Sequence, residues 1–287
     1  MKKIAVFMIF GQSNAVGHGV PMEEKDYIST PLKNVFGLNR DPNQSYDSTE
    51  LFFTGYTSFG MNLAETQDNT YSVPNCLAKR WQSAIDEGDN LPDLYIIQIA
   101  IGSQGVYGMW HPDREKKLIP GVHGSCDVSM YPLATHVLSL FNKYVKENDL
   151  DPDFIGIHWR GGEQETWQHT SNLEGKLKPL YLRIFNGLRE ALGYEAPIIL
   201  HRMPFVQVMK NADPSGKCLD SMNYINNLFE ELTGELPKTT VFDIRQAPFY
   251  DENAWDCNIF RWDLIHYSPR ANDYVAEQIL EGYKATK

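Results

Sequence analysis

Five short apolar runs punctuate the chain, at residues 4–10, 94–101, 154–159, 198–203 and 240–244, and their hydrophobic positions are nearly continuous rather than alternating. A strand covered on both faces of a parallel sheet has this pattern, because neither face meets water. Between the runs, apolar residues recur at helical spacing and predict helices over 74–86, 131–147, 173–192, 219–232 and 269–283. Tyr131, Thr135, Leu138 and Phe141 share one helix face, and Ser268-Pro269 reads as an N-cap followed by proline at the first helical position. Strands alternating with helices predict one doubly wound α/β domain over residues 1–287, three layers α/β/α around a parallel five-stranded sheet.

Two stretches break the rhythm. Residues 17–70 are rich in Asp, Asn, Gly and Pro, and a second loop-rich insertion covers 102–128. Both follow the carboxyl end of a predicted strand, the rim where open α/β sheets bind ligands.

Composition excludes several classes. With 42% hydrophobic and 22% charged residues in a chain of 287, a substantial core is available, and neither disorder nor a stapled miniprotein fits. The 26 Lys and Arg against 37 Asp and Glu leave a net charge of −11, whose field repels nucleic-acid phosphates and anionic lipid headgroups. No stretch reaches the roughly 20 apolar residues of a membrane span, so neither nucleic acid nor membrane is an expected partner. Met1-Lys2-Lys3 ahead of the first run imitates a secretion signal, but the run is short and no A-x-A site follows. It is expected to be the first buried strand of a soluble protein whose compartment stays open. Cys76, Cys126, Cys218 and Cys257 lack C-x-x-C or paired-ligand spacing, so buried or unpaired thiols are expected and a metal site is not.

The chemistry concentrates near the two ends of the chain. Gly11-Gln12-Ser13-Asn14 follows the first run directly. A serine on such a Gly-flanked turn lifts its hydroxyl above the sheet edge with backbone amides beside it. Only Gly11 and Ser13 match the G-x-S-x-G elbow, which weakens an α/β-hydrolase reading. Asp263-Leu264-Ile265-His266 stands just before the last helix. A D-x-x-H turn lets the carboxylate accept from one imidazole nitrogen while the other faces outward, as a general base needs. Each turn alone is common in structural settings, but together they supply nucleophile, orienting acid and base in the order Ser, Asp, His.

With Ile99-Ala100-Ile101-Gly102 and Trp159-Arg160-Gly161-Gly162-Glu163 between them, these turns resemble in order four blocks of the SGNH (GDSL-like) hydrolase superfamily, specifically its sialate O-acetylesterase-like carbohydrate esterase branch. The resemblance implies a flavodoxin-like fold with sheet order 2-1-3-4-5. It implies Ser13 as nucleophile, His266 as general base and then acid, Asp263 as orienting carboxylate, and the amides of Ser13 and Gly102 as oxyanion donors. It further implies a serine esterase working through an acyl-enzyme, with no metal or organic cofactor, on acetylated carbohydrate such as sialic acid, xylan or another polysaccharide.

One position departs from the family pattern. Where the W-x-Q-G-E block carries a glutamine that completes the oxyanion hole, this chain has Gly161, which offers only its backbone N–H. Arg160 and Gln164 are the nearest replacements, and a permanently charged guanidinium makes Arg160 the expected one. Glu163 matches the family glutamate and is expected to brace a loop. Candidate substrate contacts are Gln12, Asn14, Trp110 and Glu163, with His201 and Arg202 as further rim candidates and His158 expected in the core. Tyr107, Trp110, Trp167, Trp255 and Trp262 cluster in the rim segments, where flat faces suit sugar rings. Two other functions stay open: a GDSL-type esterase of lipid or aryl esters, and a non-catalytic glycan-binding relative in which Gly161 marks the loss of catalysis.

Overall fold

A computed structural model describes residues 1–39, 50–65, 70–115, 129–204 and 206–287. Among these residues one sheet is formed by β1 (Lys2–Gly11), β2 (Val35–Leu38), β3 (Phe53–Gly55), β4 (Asp93–Ala100), β5 (Leu150–Arg160), β6 (Ile198–His201) and β7 (Thr239–Phe242). Their spatial order is β3-β2-β4-β1-β5-β6-β7. Ile4 to Phe10 of β1 are wholly buried, as a central strand between two helical layers must be.

The five predicted strands are β4, β1, β5, β6 and β7, parallel throughout and in the expected order. A count of five falls short because residues 17–70 add two strands at the β4 edge. There β2 runs parallel to β4, and β3 returns antiparallel beside β2. At four and three residues they are too short for a hydrophobic period to stand out among turn residues.

The helices are α1 (Ser13–Val16), α2 (Val73–Asp86), α3 (Met130–Glu147), α4 (Thr170–Leu173), α5 (Leu177–Leu192), α6 (Val206–Ala212), α7 (Lys217–Glu235) and α8 (Pro269–Ala285). The predicted helix over 173–192 is interrupted, since Gly175 at φ 71° separates α4 from α5. The start of α8 is as expected, with Ser268 Oγ accepting the Ala271 amide at 3.3 Å. The short helix α6 has too few turns to announce itself as a period.

The chain steps from β1 to β4 in one direction and from β4 across to β7 in the other. Right-handed crossovers then place α2 on one face and α3, α5 and α7 on the opposite one. α8 joins α2, with Trp81 and Tyr283 rings 5.0 Å apart. The direction reverses at β1, so the loops leaving β1, β4 and β5 diverge and open a crevice at the carboxyl edge. Three of the four sequence blocks end there.

Candidate active site

Gly11 closes β1 at φ 136°, and a Cβ there would lie 2.0 Å from the Arg160 carbonyl oxygen. Only glycine lets β1 and β5 stay this close. The Arg160 carbonyl accepts the Gln12 amide at 2.9 Å, and the chain then enters α1 with Ser13 as its first residue, 9% exposed.

At the other end of the chain, Asp263 Oδ2 stands 3.0 Å from His266 Nδ1, while Asp263 Oδ1 accepts the amides of Ile265 and His266 at 3.0 and 2.9 Å. Leu264 adopts φ 59° to close the turn, a conformation costly for a branched residue unless neighbours hold it. Burial alone would raise the Asp263 carboxyl. Hydrogen bonds from the His266 amide and ring and the Ile265 amide outweigh it and hold the group below its ordinary value. An ionised carboxylate therefore faces Nδ1 and fixes the orientation of the ring.

Asn14 joins the two ends. Its Nδ2 donates to the Ile265 carbonyl at 3.2 Å and its Oδ1 accepts the Tyr267 amide at 3.1 Å, so the side chain next to Ser13 grips both neighbours of His266. The same Nδ2 donates to Glu163 Oε1 at 2.9 Å, and Gln12 Nε2 donates to Glu163 Oε2 at 2.6 Å. Glu163 thus braces the serine turn. Gln12 and Asn14 are buried within this framework and do not face a substrate, which corrects their expected role as contacts.

Several other expectations are also revised. Trp110 is not at the rim: it is wholly buried, with Nε1 donating to the Gly11 carbonyl at 3.1 Å and its ring edge-on to Trp159. Arg160 is buried too, donating Nη1 to Asn272 Oδ1 at 3.0 Å and lying 4.2 Å over the Tyr267 ring. These contacts engage the guanidinium with α8 and Tyr267, so it does not replace the missing glutamine. At Gly161 a Cβ would stand 3.2 Å from the Trp159 indole, itself wedged among Trp110, Tyr181 and Phe185, so a side chain there requires that ring to give slightly. The Gly102 amide donates to Glu65 Oε2 at 2.7 Å, so this expected oxyanion donor is already engaged. His201 belongs to the core, its Nε2 3.0 Å from His158 Nδ1. Burial pushes both rings down, His158 to about 3. Arg202 pairs with Glu230 at 2.8 Å. Cys76, Cys218 and Cys257 are buried and unpaired, and Cys126 lies outside the described residues.

The sequence reading passed over His18, Glu65 and Glu165. The His18 ring lies 5.1 Å from that of His266, and Glu65 Oε1 is 3.8 Å from His18 Nδ1. Their only signals were a histidine between Gly17 and Gly19 just after the serine turn, and a lone acid at the end of Met61-Asn62-Leu63-Ala64. Glu165 Oε1 accepts the Val106 amide at 2.7 Å and so holds the loop after β4. Burial lifts this carboxyl from 4.5 to about 7. A folded value above the unfolded one means that its contribution to stability is complete below pH 4.5 and is lost as pH rises through 7. Glu165→Gln, which keeps the acceptor oxygen, is expected to flatten the decline in melting temperature over that interval. Parallel wild-type and variant profiles in calorimetry would contradict this.

Next to Asp263, the side chains of Glu163, Trp167, Val208, Met209 and Leu264 line a mostly apolar pocket of about 320 Å³. Trp167, Trp255 and Trp262 are exposed, as the rim reading expected. Among the described residues no His, Cys, Asp and Glu cluster could hold a metal ion, and no helix is long and apolar enough to cross a membrane.

Neither a family model nor a curated protein matches this chain in sequence. Solved structures do match. NanS superposes with a TM-score of 0.61 at 15% identity, covering 99% of this chain and 98% of its own. A protein from Arabidopsis thaliana gives 0.57 at 13% identity, over 99% and 98% of the two chains. A carbohydrate acetylesterase from Xanthomonas citri gives 0.50 at 12% identity, over 96% of this chain and 54% of that longer one. At such identities the likeness is one of fold. The chain is a three-layer α/β protein that shares its fold with NanS and with the Xanthomonas citri carbohydrate acetylesterase.

Proposed function

We propose that this chain is a serine ester hydrolase of the SGNH kind that removes O-acetyl groups from carbohydrate. The observation that supports the reading is the grip of Asn14, the residue after Ser13, on Ile265 and Tyr267, the two neighbours of His266. Ser13 Oγ attacks the ester carbonyl, His266 takes its proton and passes it to the departing sugar hydroxyl, and Asp263 orients the ring. The Ser13 amide donates to the developing oxyanion. Water, deprotonated by His266, then attacks the acyl-enzyme, the Ser13 Oγ–acyl bond breaks to release acetate, and His266 returns the proton to Ser13 Oγ. Exposed Trp167, Trp255 and Trp262 offer faces for sugar rings, and likeness in fold to a carbohydrate acetylesterase supports that substrate class.

The test has two parts. Treatment with a p-nitrophenyl alkylphosphonate should leave one adduct on Ser13, read by mass spectrometry of the peptide. Acetate should be released from at least one of a panel of O-acetylated sialic acids, xylans and bacterial polysaccharides. Glycan binding with neither adduct nor acetate would leave the non-catalytic reading instead. The apolar pocket beside Asp263 favours a second reading, a hydrolase of aryl or short-chain acyl esters. Faster turnover of p-nitrophenyl butyrate than acetate, with no release from any glycan, would select it.

A further inference from the structure

We infer that Arg261 is a positioning residue for the acid–base pair, a cation that fixes the Asp263 carboxylate and ties it to the serine turn; the inference rests on the esterase reading above. A histidine base depends on a carboxylate that stays aimed at its Nδ1, and a misplacement of about 1 Å in such a set can cost 10²-fold in rate. Asp263 Oδ1 is held by the amides of Ile265 and His266. Oδ2 faces His266 Nδ1 at 3.0 Å, and the second group beside that oxygen is the Arg261 guanidinium, with Nη1 3.5 Å away.

The placement follows from the local chain. Residues 260–267 reverse direction, with Phe260 and Tyr267 bridged across the turn. The Arg261 amide donates to the His266 carbonyl at 2.9 Å and its carbonyl accepts the Leu264 amide at 3.0 Å, so its backbone frames the turn that carries both Asp263 and His266. Its side chain then crosses to the other end of the chain. There Nη1 donates to the His18 carbonyl at 3.1 Å, and the His18 amide in turn donates to the Ser13 carbonyl at 2.9 Å. Gly17 and Gly19 on either side adopt φ 81° and 62°, so this loop has little stiffness of its own and gains from an external tie. One nitrogen joins the loop to the carboxylate.

The guanidinium is seated closely. A Cβ on Gly19 would lie 2.4 Å from Nη1, so the cation occupies room that only glycine leaves. The Arg261 and Asp263 side chains are 13% and 17% exposed, and their attraction is screened far less than that of a surface ion pair. A guanidinium is charged at any working pH, and the hydrogen bonds that hold Asp263 below its ordinary value keep its partner anionic. The charge of Arg261 itself disfavours an imidazolium on His266. Its benefit therefore lies in orientation, and losing it is expected to cost less than losing Asp263. Asn14 grips the backbone on both sides of the base, and Arg261 fixes the acid behind it.

Two substitutions separate positioning from packing. Arg261→Met keeps an apolar stem and removes the cation, whereas Arg261→Lys keeps the charge with a shorter reach. With p-nitrophenyl acetate, Arg261→Met is expected to lower kcat by roughly 10–10²-fold, with kcat/KM falling in parallel. The rate at which a p-nitrophenyl alkylphosphonate modifies Ser13 should fall by a similar factor, because that reaction reads activation of the hydroxyl alone. Arg261→Lys should retain distinctly more of both rates. An unchanged kcat in Arg261→Met while Ser13→Ala is inactive would overturn the inference and leave the esterase reading intact. Equal losses in the Met and Lys variants would also overturn it, since they mark an arginine needed only for packing, and so would phosphonylation at the wild-type rate. If the wild type hydrolyses no ester, both readings fall together. Should Arg261→Met fail to give a cooperative thermal transition, Gly19→Ala tests the same seat, because its methyl group displaces Nη1. Its kcat is expected to fall as well, and a wild-type kcat would overturn the inference.

Discussion

Ser13→Ala is expected to lower kcat/KM for p-nitrophenyl acetate by about 10⁴-fold or more while leaving the melting temperature near that of the wild type. Alanine removes the only atom of this residue that can be acylated. What remains is the help that bound donors give to attack by water, typically small beside a full nucleophile and base. Stability is spared because Ser13 holds its turn through the backbone: its carbonyl accepts the amides of Gly17 and His18 at 3.0 and 2.9 Å, and alanine keeps both bonds. Nitrophenolate release and thermal unfolding on the same preparation check the two halves. A variant that turns over at the wild-type rate would remove Ser13 from the chemistry.

Asp263→Asn is expected to lower kcat by about 10⁴-fold, the typical consequence of replacing the orienting carboxylate by its amide isostere. Asp263 accepts three hydrogen bonds inside one turn, from the His266 ring and from the amides of Ile265 and His266. Asparagine can accept on only one of its two terminal atoms. If the oxygen stays on the backbone amides, the NH₂ group faces Nδ1 and favours the wrong tautomer for a base. A second consequence concerns pH. The folded Asp263 carboxyl lies below its ordinary 3.8, so its contribution to stability is complete above that value and is lost as pH falls through the lower folded value. The gap in melting temperature between wild type and Asp263→Asn should therefore narrow in acid. Retention of more than a tenth of wild-type kcat would reject the orienting role.

The legible parts of the fold are those written at short range. A run such as Ile4 to Phe10 declares a doubly covered strand because each residue alone reports whether its side meets water. Ser268-Pro269 declares a helix start because a cap satisfies amides only a turn away. Ser13 and the Asp263–His266 pair stand out as candidates for the same reason: each motif is written within four residues on its own turn. By contrast β2 is a strand chiefly because the β4 edge needs a partner, and that edge belongs to a segment some 60 residues further along, while β3 pairs in turn with the open edge of β2.

Reactive groups and regular elements can thus be recognised locally, since spacing, caps and buried runs depend on near neighbours. Which of those groups are at liberty to act is settled over long range. Glu65 reaches the Gly102 amide across 37 positions, Arg160 reaches Asn272 across 112, and Asn14 reaches Tyr267 across 253. The physical reason is that a buried polar atom must find a partner wherever packing puts one. Packing therefore engages the Gly102 amide and Arg160, sends Trp110 into the core, and sets His18 beside His266.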